Sequence, residues 1–359
     1  MQRAAMTGSD PAEDTTEVRA GFEIDCDRLE SYLRSQIADF RGPLSLRQFR
    51  GGQSNPTYLI ETPAKRYVLR RKPPGTLLAS AHAVDREFRV ISALHGRTPV
   101  PVARPYVLCA DESVIGVMFY VMDYVQGRIC WDATLPLIDR VQRAAHFFCL
   151  ARALGTLHAV DIGAVGMHDF GRHGQYVTRQ LTRWSKQYRD DTVAGSVASM
   201  DQLIPWLEAR VPETEPVALV HGDFRFDNAI FDFSAPRVLA MIDWELATLG
   251  DPRCDFAYLM LMYRLPQTAV AGFAGTDLAA TGIPSEADFI TAYRTVAPQV
   301  DLTQLDYFIV FNMFRLAAIF HGIRGRVARG TAANEQARHY AGYVERVADL
   351  AWAAAQRTG

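Results

Sequence analysis

The sequence lacks the marks of several protein classes. Its 38 Lys and Arg residues are balanced by 40 Asp and Glu residues, so the basic excess typical of nucleic-acid and anionic-membrane binders is missing. Its five cysteines are scattered and form no C-x-x-C pair, which argues against a disulfide framework or a zinc site. It has no long uninterrupted apolar run and no signal-peptide core. We therefore expect a cytoplasmic protein with a small-molecule or protein partner, and with neither a nucleic-acid nor a membrane partner.

Apolar residues make up 49% of the chain, which is enough to bury a large core. The length of 359 residues is typical of about two domains. Residues 1–21 are small, polar and acidic, and we expect a mobile tail there. Helical spacing at 24–40 and 81–94 is combined with strand-like runs at 44–50, 57–61, 67–70, 104–109 and 117–124. Residues 22–126 therefore indicate a small, mostly antiparallel sheet with few helices.

Beyond Gly127 the pattern changes to long helical periods, at 138–160, 176–189, 197–210 and 302–327. They are interrupted by three short strand-like runs at 218–220, 229–231 and 238–242, which flank two polar loops. Residues 127–359 are thus predicted to form a mainly helical second domain, and the whole chain an α+β fold.

The two polar loops contain residues suited to phosphoryl transfer. The first reads HGDFRFDN over residues 221–228, where Asp223 can accept or orient the proton of an attacking hydroxyl and Asn228 can offer an oxygen to magnesium. The second begins at Asp243, directly after an apolar strand, where a carboxylate can bridge metal and nucleotide phosphates. Since magnesium takes few protein oxygens, Asn228 and Asp243 suffice as its ligands.

Other polar residues of these loops have simpler interpretations. His221 is expected to pack the loop through a hydrogen bond. Arg225 is open to two interpretations, neutralisation of a transferred phosphate or an internal salt bridge. Asp251 and Asp255 are expected to cap the next helix and to brace the catalytic loop.

These motifs together resemble one known family. HGDxxxxN, a short hairpin and IDWE occur with YVLRRKPPG, REFRVISAL and FYVMDYVQGR in the family's order between Leu46 and Tyr263. The chain resembles the aminoglycoside phosphotransferase and choline kinase superfamily, and in particular the phosphotransferase domain associated with acyl-CoA dehydrogenases. The resemblance implies a bilobal protein-kinase-like fold with a nucleotide-binding N-lobe (22–126) and a C-lobe for catalysis and acceptor binding (127–359). It also implies ATP and magnesium, with Asp223 as catalytic base and Asn228 and Asp243 as metal ligands.

The resemblance also implies how the N-lobe binds the nucleotide. Gly51, Gly52 and Ser54 lie in the loop between the first two strands, where backbone amides and a hydroxyl would close over the phosphates. Asp123 and Val125 lie at the hinge position, where backbone groups would meet the adenine.

One position departs from the family pattern. The third strand ought to carry a phosphate-anchoring lysine paired with a helix glutamate, but here Arg70 stands at that position and Glu87 lies on the following helix. An arginine keeps the charge but presents a larger, planar fork. Lys72, two residues on and on the same strand face, is the second candidate.

The resemblance implies a phosphotransferase that acts on a hydroxyl of a small molecule. The late helices carry many arginines, so an anionic acceptor such as a hydroxyacyl-CoA or a hydroxy acid is expected, with an acyl-CoA dehydrogenase as pathway partner. An ordinary solvated helix face is the competing interpretation of those arginines. Three other functions stay open. They are an aminoglycoside- or choline-type kinase, a protein or peptide kinase, against which the short interval between Asp243 and Asp255 argues, and a non-catalytic nucleotide-binding module, which the arginine at position 70 keeps open. The arginines of the late helices that favour an anionic acceptor are Arg315, Arg324, Arg326 and Arg329.

Overall fold

The computed structural model describes residues 11–50, 55–73, 83–267, 272–332 and 335–358. The strands there are β1 (Thr15–Thr16), β2 (Ser45–Phe49), β3 (Thr57–Glu61), β4 (Arg66–Arg71), β5 (Pro105–Cys109), β6 (Phe119–Asp123), β7 (Arg128–Ile129), β8 (Ala218–Val220), β9 (Ala229–Phe231), β10 (Val238–Met241) and β11 (Thr248–Gly250). The helices are α1 (Cys26–Gln36), α2 (Val84–Leu94), α3 (Arg140–His158), α4 (Tyr176–Asp190), α5 (Ala198–Glu208), α6 (Pro252–Arg264), α7 (Leu278–Thr281), α8 (Glu286–Arg294), α9 (Leu305–Ala328), α10 (Glu335–Ala341) and α11 (Val344–Thr358).

The chain divides into two compact units. Unit 1 comprises the chain up to Trp131 together with Gly163–Met167 and Arg225–Ala247, and unit 2 comprises Asp132–Ile162, His168–Phe224 and Thr248–Gly359. The β9–β10 hairpin belongs to unit 1 because β7 pairs with β9 and the Met241 amide donates to the Pro101 carbonyl at 2.8 Å. The bounds differ in this respect from the predicted 22–126 and 127–359, whose functional assignments stay predictions.

Unit 1 is built on an antiparallel sheet in the order β1-β2-β3-β4-β6-β5. Residues two apart on a strand point to the same face, so Tyr58 and Ile60 of β3 are both buried against one cluster. Leu29 and Leu33, four apart on α1, pack into this cluster, and the Asp25 side chain caps the helix by accepting from the Arg28 amide. The predicted meander and its two helices are confirmed.

Ordered structure begins before Phe22, where the predicted tail was to end. Residues 1–10 lie outside the described residues, but Thr15 and Thr16 pair with Phe49 and Gln48 of β2. Thr15 is 4% exposed, and its hydroxyl accepts from Arg47 Nε at 2.7 Å. The prediction of a tail is therefore wrong for this segment, because its polar threonines extend the sheet instead of packing an apolar face.

Unit 2 is mainly helical and is centred on α9, which packs against α11, α6 and α4. Within the described ranges α9 is the one helix long and apolar enough to cross a membrane, but 78% of its apolar window is buried inside the protein. It is therefore a core helix. Its buried Asn312 donates to the Cys254 carbonyl of α6 at 2.9 Å. The small β8–β11 ladder pairs Ala218–Val220 with Thr248–Gly250 and places the HGD loop directly after β8.

Candidate active site

In unit 1, three predicted site residues from distant parts of the sequence form one ionic cluster. Arg70 on β4 lies with its Nε 3.0 Å from Glu87 Oε2 on α2, and one of its terminal nitrogens lies 2.9 Å from Asp243 Oδ1 after β10. Arg70 is 9% exposed and Glu87 1% exposed. The guanidinium thus joins the sheet, the helix and the loop of unit 1 that carries the predicted metal ligand Asp243, as its fork geometry allows.

The charges of this cluster do not cancel. One guanidinium faces two carboxylates, so the cluster leaves a negative excess at Asp243. Burial acts to lower the pKa of Arg70, but Glu87, Tyr120 and Asp243 outweigh it and the pKa lies above its usual value. Arg70 therefore stays cationic at any working pH. Burial also raises the pKa of Glu87, against the opposing effect of Arg70.

Two residues that the sequence analysis did not single out hold Glu87 in place. Asn55 Nδ2 donates to Glu87 Oε1 at 2.7 Å, and the Tyr120 hydroxyl donates to Glu87 Oε2 at 3.0 Å. Tyr120 lies opposite Arg70 in the β4–β6 register. The adjacent strands β4 and β6 therefore supply Arg70 and Tyr120 as partners of the Glu87 carboxylate. Asn55 is fully buried, and its Oδ1 finds no hydrogen-bond partner in the described part of the chain.

The predicted phosphate-loop residues Gly51, Gly52 and Ser54 lie outside the described residues.

The β9–β10 hairpin brings the two predicted metal ligands to one end of the same ladder. Ala229 pairs with Met241, and the Ile242 amide donates to the Asn228 carbonyl at 3.0 Å. Asp243 then has a left-handed backbone, with φ of 68°, a conformation that Asp tolerates better than most residues. Its side chain is 36% exposed, and its Oδ1 accepts from Arg70 at 2.9 Å. Asn228 is buried, at 8% exposure. A carboxylate and a carboxamide both carry the kind of oxygen ligand that magnesium prefers.

The remaining unit 1 predictions concern Lys72 and the hinge. Arg70, not Lys72, is the cation in contact with Glu87 and Asp243. The Asp123 carboxylate accepts from Tyr106 at 2.7 Å and pairs with Lys65 at 2.6 Å, and its amide donates to the Arg104 carbonyl.

The hinge prediction itself concerns backbone groups. The amide of Val125 has no hydrogen-bond partner in the described ranges, whereas the Asp123 amide is already used within the sheet. The assignment of Asp123 and Val125 to adenine binding stays a prediction.

In unit 2, the predicted base Asp223 follows β8 and His221-Gly222. The Tyr258 hydroxyl, on α6, donates to Asp223 Oδ1 at 2.6 Å, a short charge-assisted hydrogen bond. Tyr258 was missed because a tyrosine inside an apolar helix has the pattern of a core residue. A signal was available in its spacing, since Tyr258 lies three residues after Asp255 and so on the same helix face.

Asp255 braces the same loop, as predicted. Its Oδ2 accepts the His221 amide at 2.6 Å and its Oδ1 accepts the Gly222 amide at 2.8 Å. His158 Nε2 lies 3.2 Å from Asp255 Oδ2, and its Nδ1 lies 2.7 Å from the Tyr293 hydroxyl. Burial acts to raise the pKa of Asp255, but His158 and His221, the latter partly through its backbone amide, outweigh it and the pKa lies below its usual value. Asp251 caps α6, as predicted, by accepting from the Arg253 amide.

The late arginines form no common anion site in the described structure. Arg315 donates to the Gly222 carbonyl at 3.1 Å, Arg324 pairs with Glu345, and Arg329 pairs with Asp191. Arg326 is exposed. In unit 1, Arg225 pairs with Asp227 at 2.8 Å, which is the salt-bridge interpretation of that residue.

Comparison with known proteins identifies the class to which this fold and these loops belong. The model of the phosphotransferase enzyme family matches residues 45–299, and the chain belongs to this family. A crystal structure from Ralstonia eutropha JMP134, described provisionally as an aminoglycoside phosphotransferase, is 40% identical with a TM-score of 0.86 and covers 93% of this chain and 99% of that chain.

The curated relatives include proteins named as acyl-CoA dehydrogenases. The mouse protein named acyl-CoA dehydrogenase family member 10 is 40% identical over 348 residues, which cover 96% of this chain but 32% of the mouse protein. The chain spans less than half the length of the first curated relatives it matches.

More distant structures share the fold. A thermostable mutant of an aminoglycoside phosphotransferase, solved as a ternary complex with AMP-PNP and hygromycin B, is 17% identical with a TM-score of 0.60 and covers 91% of this chain and 98% of that chain. The α+β, kinase-like fold and the resemblance to the dehydrogenase-associated phosphotransferase domain are both confirmed.

Proposed function

We propose that this protein transfers the γ-phosphoryl group of ATP to a hydroxyl group of a small molecule. The observation that carries the proposal is the cluster of Arg70, Glu87 and Asp243 in unit 1, in which a buried cation and an accessible carboxylate stand where this family is expected to bind nucleotide phosphates. Membership of the phosphotransferase family supports the same reaction.

In this reaction the acceptor oxygen forms a bond to the γ-phosphorus, and the bond between the γ-phosphorus and the β,γ-bridging oxygen breaks. The proton of the acceptor hydroxyl passes to the carboxylate of Asp223, and ADP leaves. Magnesium, held by Asn228 and Asp243, supplies charge neutralisation at the phosphates when it is bound. The contributions of the protein are positioning and electrostatics: Arg70 anchors phosphate oxygens and Asp223 orients the nucleophile.

For the acceptor, we propose a hydroxyacyl-CoA or a related hydroxy acid. The support is the 40% identity to a mouse protein named as an acyl-CoA dehydrogenase, which suggests that the product feeds such an enzyme, in the same chain or in a separate one. The shared fold with an aminoglycoside phosphotransferase keeps amino-sugar acceptors in the test panel.

The test is ADP formation with ATP and Mg²⁺ against a panel of hydroxyacyl-CoAs, free hydroxy acids, choline-like amino alcohols and aminoglycosides. Asp223→Ala is expected to lower turnover about 10²- to 10⁴-fold, the usual contribution of general-base catalysis, with ATP affinity retained by calorimetry. The matched control is Asp190→Ala, which removes an exposed carboxylate of α4 that pairs only at the surface with Lys186. This control should keep wild-type turnover.

Two outcomes oppose the proposal. ATP binding without ADP formation above the Asp223→Ala level, for every acceptor, would assign the protein to non-catalytic nucleotide binding. Turnover confined to aminoglycosides or amino alcohols would support the proposed phosphotransferase reaction but refute the proposed hydroxyacyl-CoA or hydroxy-acid acceptor.

A further inference from the structure

We infer that Tyr258 is the positioning residue of Asp223, fixing its carboxylate for proton abstraction by donating a hydrogen bond to Oδ1. The inference rests on the proposed function for its kinetic test, and on the geometry of unit 2 for a test that needs no turnover.

The first step of the argument is the spacing on α6. Asp255 and Tyr258 lie three residues apart and therefore on one face of the helix. Asp255 accepts the amides of His221 and Gly222, and Tyr258 donates to the side chain of Asp223. One helix face thus contacts three successive residues of the HGD loop, two through their backbone and the third through its reactive group.

The second step is that Tyr258 is itself held. The Arg315 guanidinium of α9 lies 5.3 Å from the centroid of the Tyr258 ring, and its terminal nitrogen donates to the Gly222 carbonyl at 3.1 Å. The cation over the ring face restricts the ring, and the carbonyl bond ties the same arginine to the loop. Tyr258 therefore presents its hydroxyl from a fixed ring.

The third step is chemical. The hydrogen bond of 2.6 Å to Oδ1 restricts rotation of the Asp223 carboxylate about its Cβ–Cγ bond. Rotation of the carboxylate would move the reacting oxygen away from the acceptor hydroxyl, and general-base catalysis requires hydrogen-bond reach. The hydroxyl of Tyr258 thus contributes to kcat without contacting nucleotide or acceptor.

The test is Tyr258→Phe, which removes one oxygen and keeps the ring. We expect kcat to fall about 10- to 100-fold, part of the full contribution of a general base, with the KM for ATP unchanged. The matched control is Tyr263→Phe on the same helix, where the lost hydroxyl donates to the Pro284 carbonyl at 3.1 Å. A structural effect would lower the melting temperature of both variants and would not separate kcat from KM.

The outcomes distinguish this inference from the proposed function. Asp223-dependent turnover in the wild type with an unchanged kcat in Tyr258→Phe overturns the inference alone. If the wild type shows no turnover, crystal structures of the wild type and Tyr258→Phe decide: a displaced or disordered Asp223 carboxylate in the variant supports the inference, and an unchanged one overturns it.

If Tyr258→Phe fails to fold, a fluorotyrosine introduced at position 258 keeps the ring and its packing. It makes the hydroxyl a stronger donor, so kcat should change while the KM for ATP stays constant. An unchanged kcat would overturn the inference in that case.

Discussion

Replacement of Arg70 by methionine is expected to destabilise unit 1 strongly, because it removes the one cation between two carboxylates. Arg70 is 9% exposed and Glu87 1% exposed, so Glu87 would keep a buried charge that, among the described residues, has the hydroxyl of Tyr120 and the amide of Asn55 as its donors. Loss of one partner of a buried pair costs about 3–5 kcal/mol. Asp243 is 36% exposed and adds little to this figure, since solvent screens its charge.

The loss should depend on pH, with a definite sign. Burial already raises the pKa of Glu87, and removal of Arg70 takes away the largest opposing effect. The folded variant would then bind a proton at Glu87 more tightly than the unfolded chain, whose glutamates titrate at about 4.3. The free energy of unfolding of Arg70→Met should therefore fall as pH rises above about 4.3, by up to about 1.4 kcal/mol per pH unit, until the raised folded pKa is passed. The difference from the wild type should widen over the pH range in which Glu87 is ionised in the wild type and still protonated in the variant.

The assay is urea unfolding at pH 5.5 and pH 8 for the wild type, Arg70→Met, Glu87→Gln and the double variant. The double variant should be more stable than Arg70→Met alone, because the carboxamide that replaces the Glu87 carboxylate carries no charge to bury. A loss below about 1 kcal/mol, an equal loss at both pH values, or additive effects of the two substitutions would refute the reasoning.

Three further changes have defined outcomes. Lys72→Met should leave the KM for ATP within about twofold of wild type, whereas Arg70→Met should raise it about tenfold or more, in steady-state kinetics; the reverse order would make Lys72 the anchor. Asp255→Asn should lower the melting temperature by several degrees at pH 7, since one amide of the HGD loop loses its acceptor. Because the pKa of Asp255 is lowered in the fold, the stability it contributes is present at neutral pH and is lost as pH falls below about 3.9, so wild type and variant should converge there; a constant difference would contradict this. Arg315→Met should reduce kcat and leave the KM for ATP unchanged, because Arg315 contacts the Gly222 carbonyl and the Tyr258 ring. An unchanged kcat would show that Arg315 does not help to position the HGD loop for catalysis.

The sequence predicted most elements whose periodicity is regular. The runs at 218–220 and 229–231 coincide with β8 and β9, and the helical run at 176–189 matches α4 to within a residue. The short β11 and the pairing of Thr15 with β2 were missed, because both depend on a partner strand that lies elsewhere in the chain. Local patterns do not encode such partners.

The same limit applies to the site. Asp223, Asn228 and Asp243 were predicted as site residues because their spacing along two loops is typical of phosphoryl transfer, and their roles stay predictions. The pairing of Arg70 with Glu87 was implied by the resemblance, but its contact with Asp243, 173 residues away, was not. Tyr258 contacts Asp223 across 35 residues, and only the tertiary fold distinguishes it from an ordinary core tyrosine.

The long core helix α9 has a consequence for how the protein is made. Its sequence is apolar on nearly every face, and much of its cover is α11, Val344–Thr358. Since α11 follows α9 in the chain, the ribosome exposes the apolar helix before the residues that cover it have emerged. During that interval α9 has the character of a membrane segment or an aggregation nucleus. Production of the protein should therefore depend on chaperones that shield residues 305–328, and truncation before Val344 should direct it to inclusion bodies.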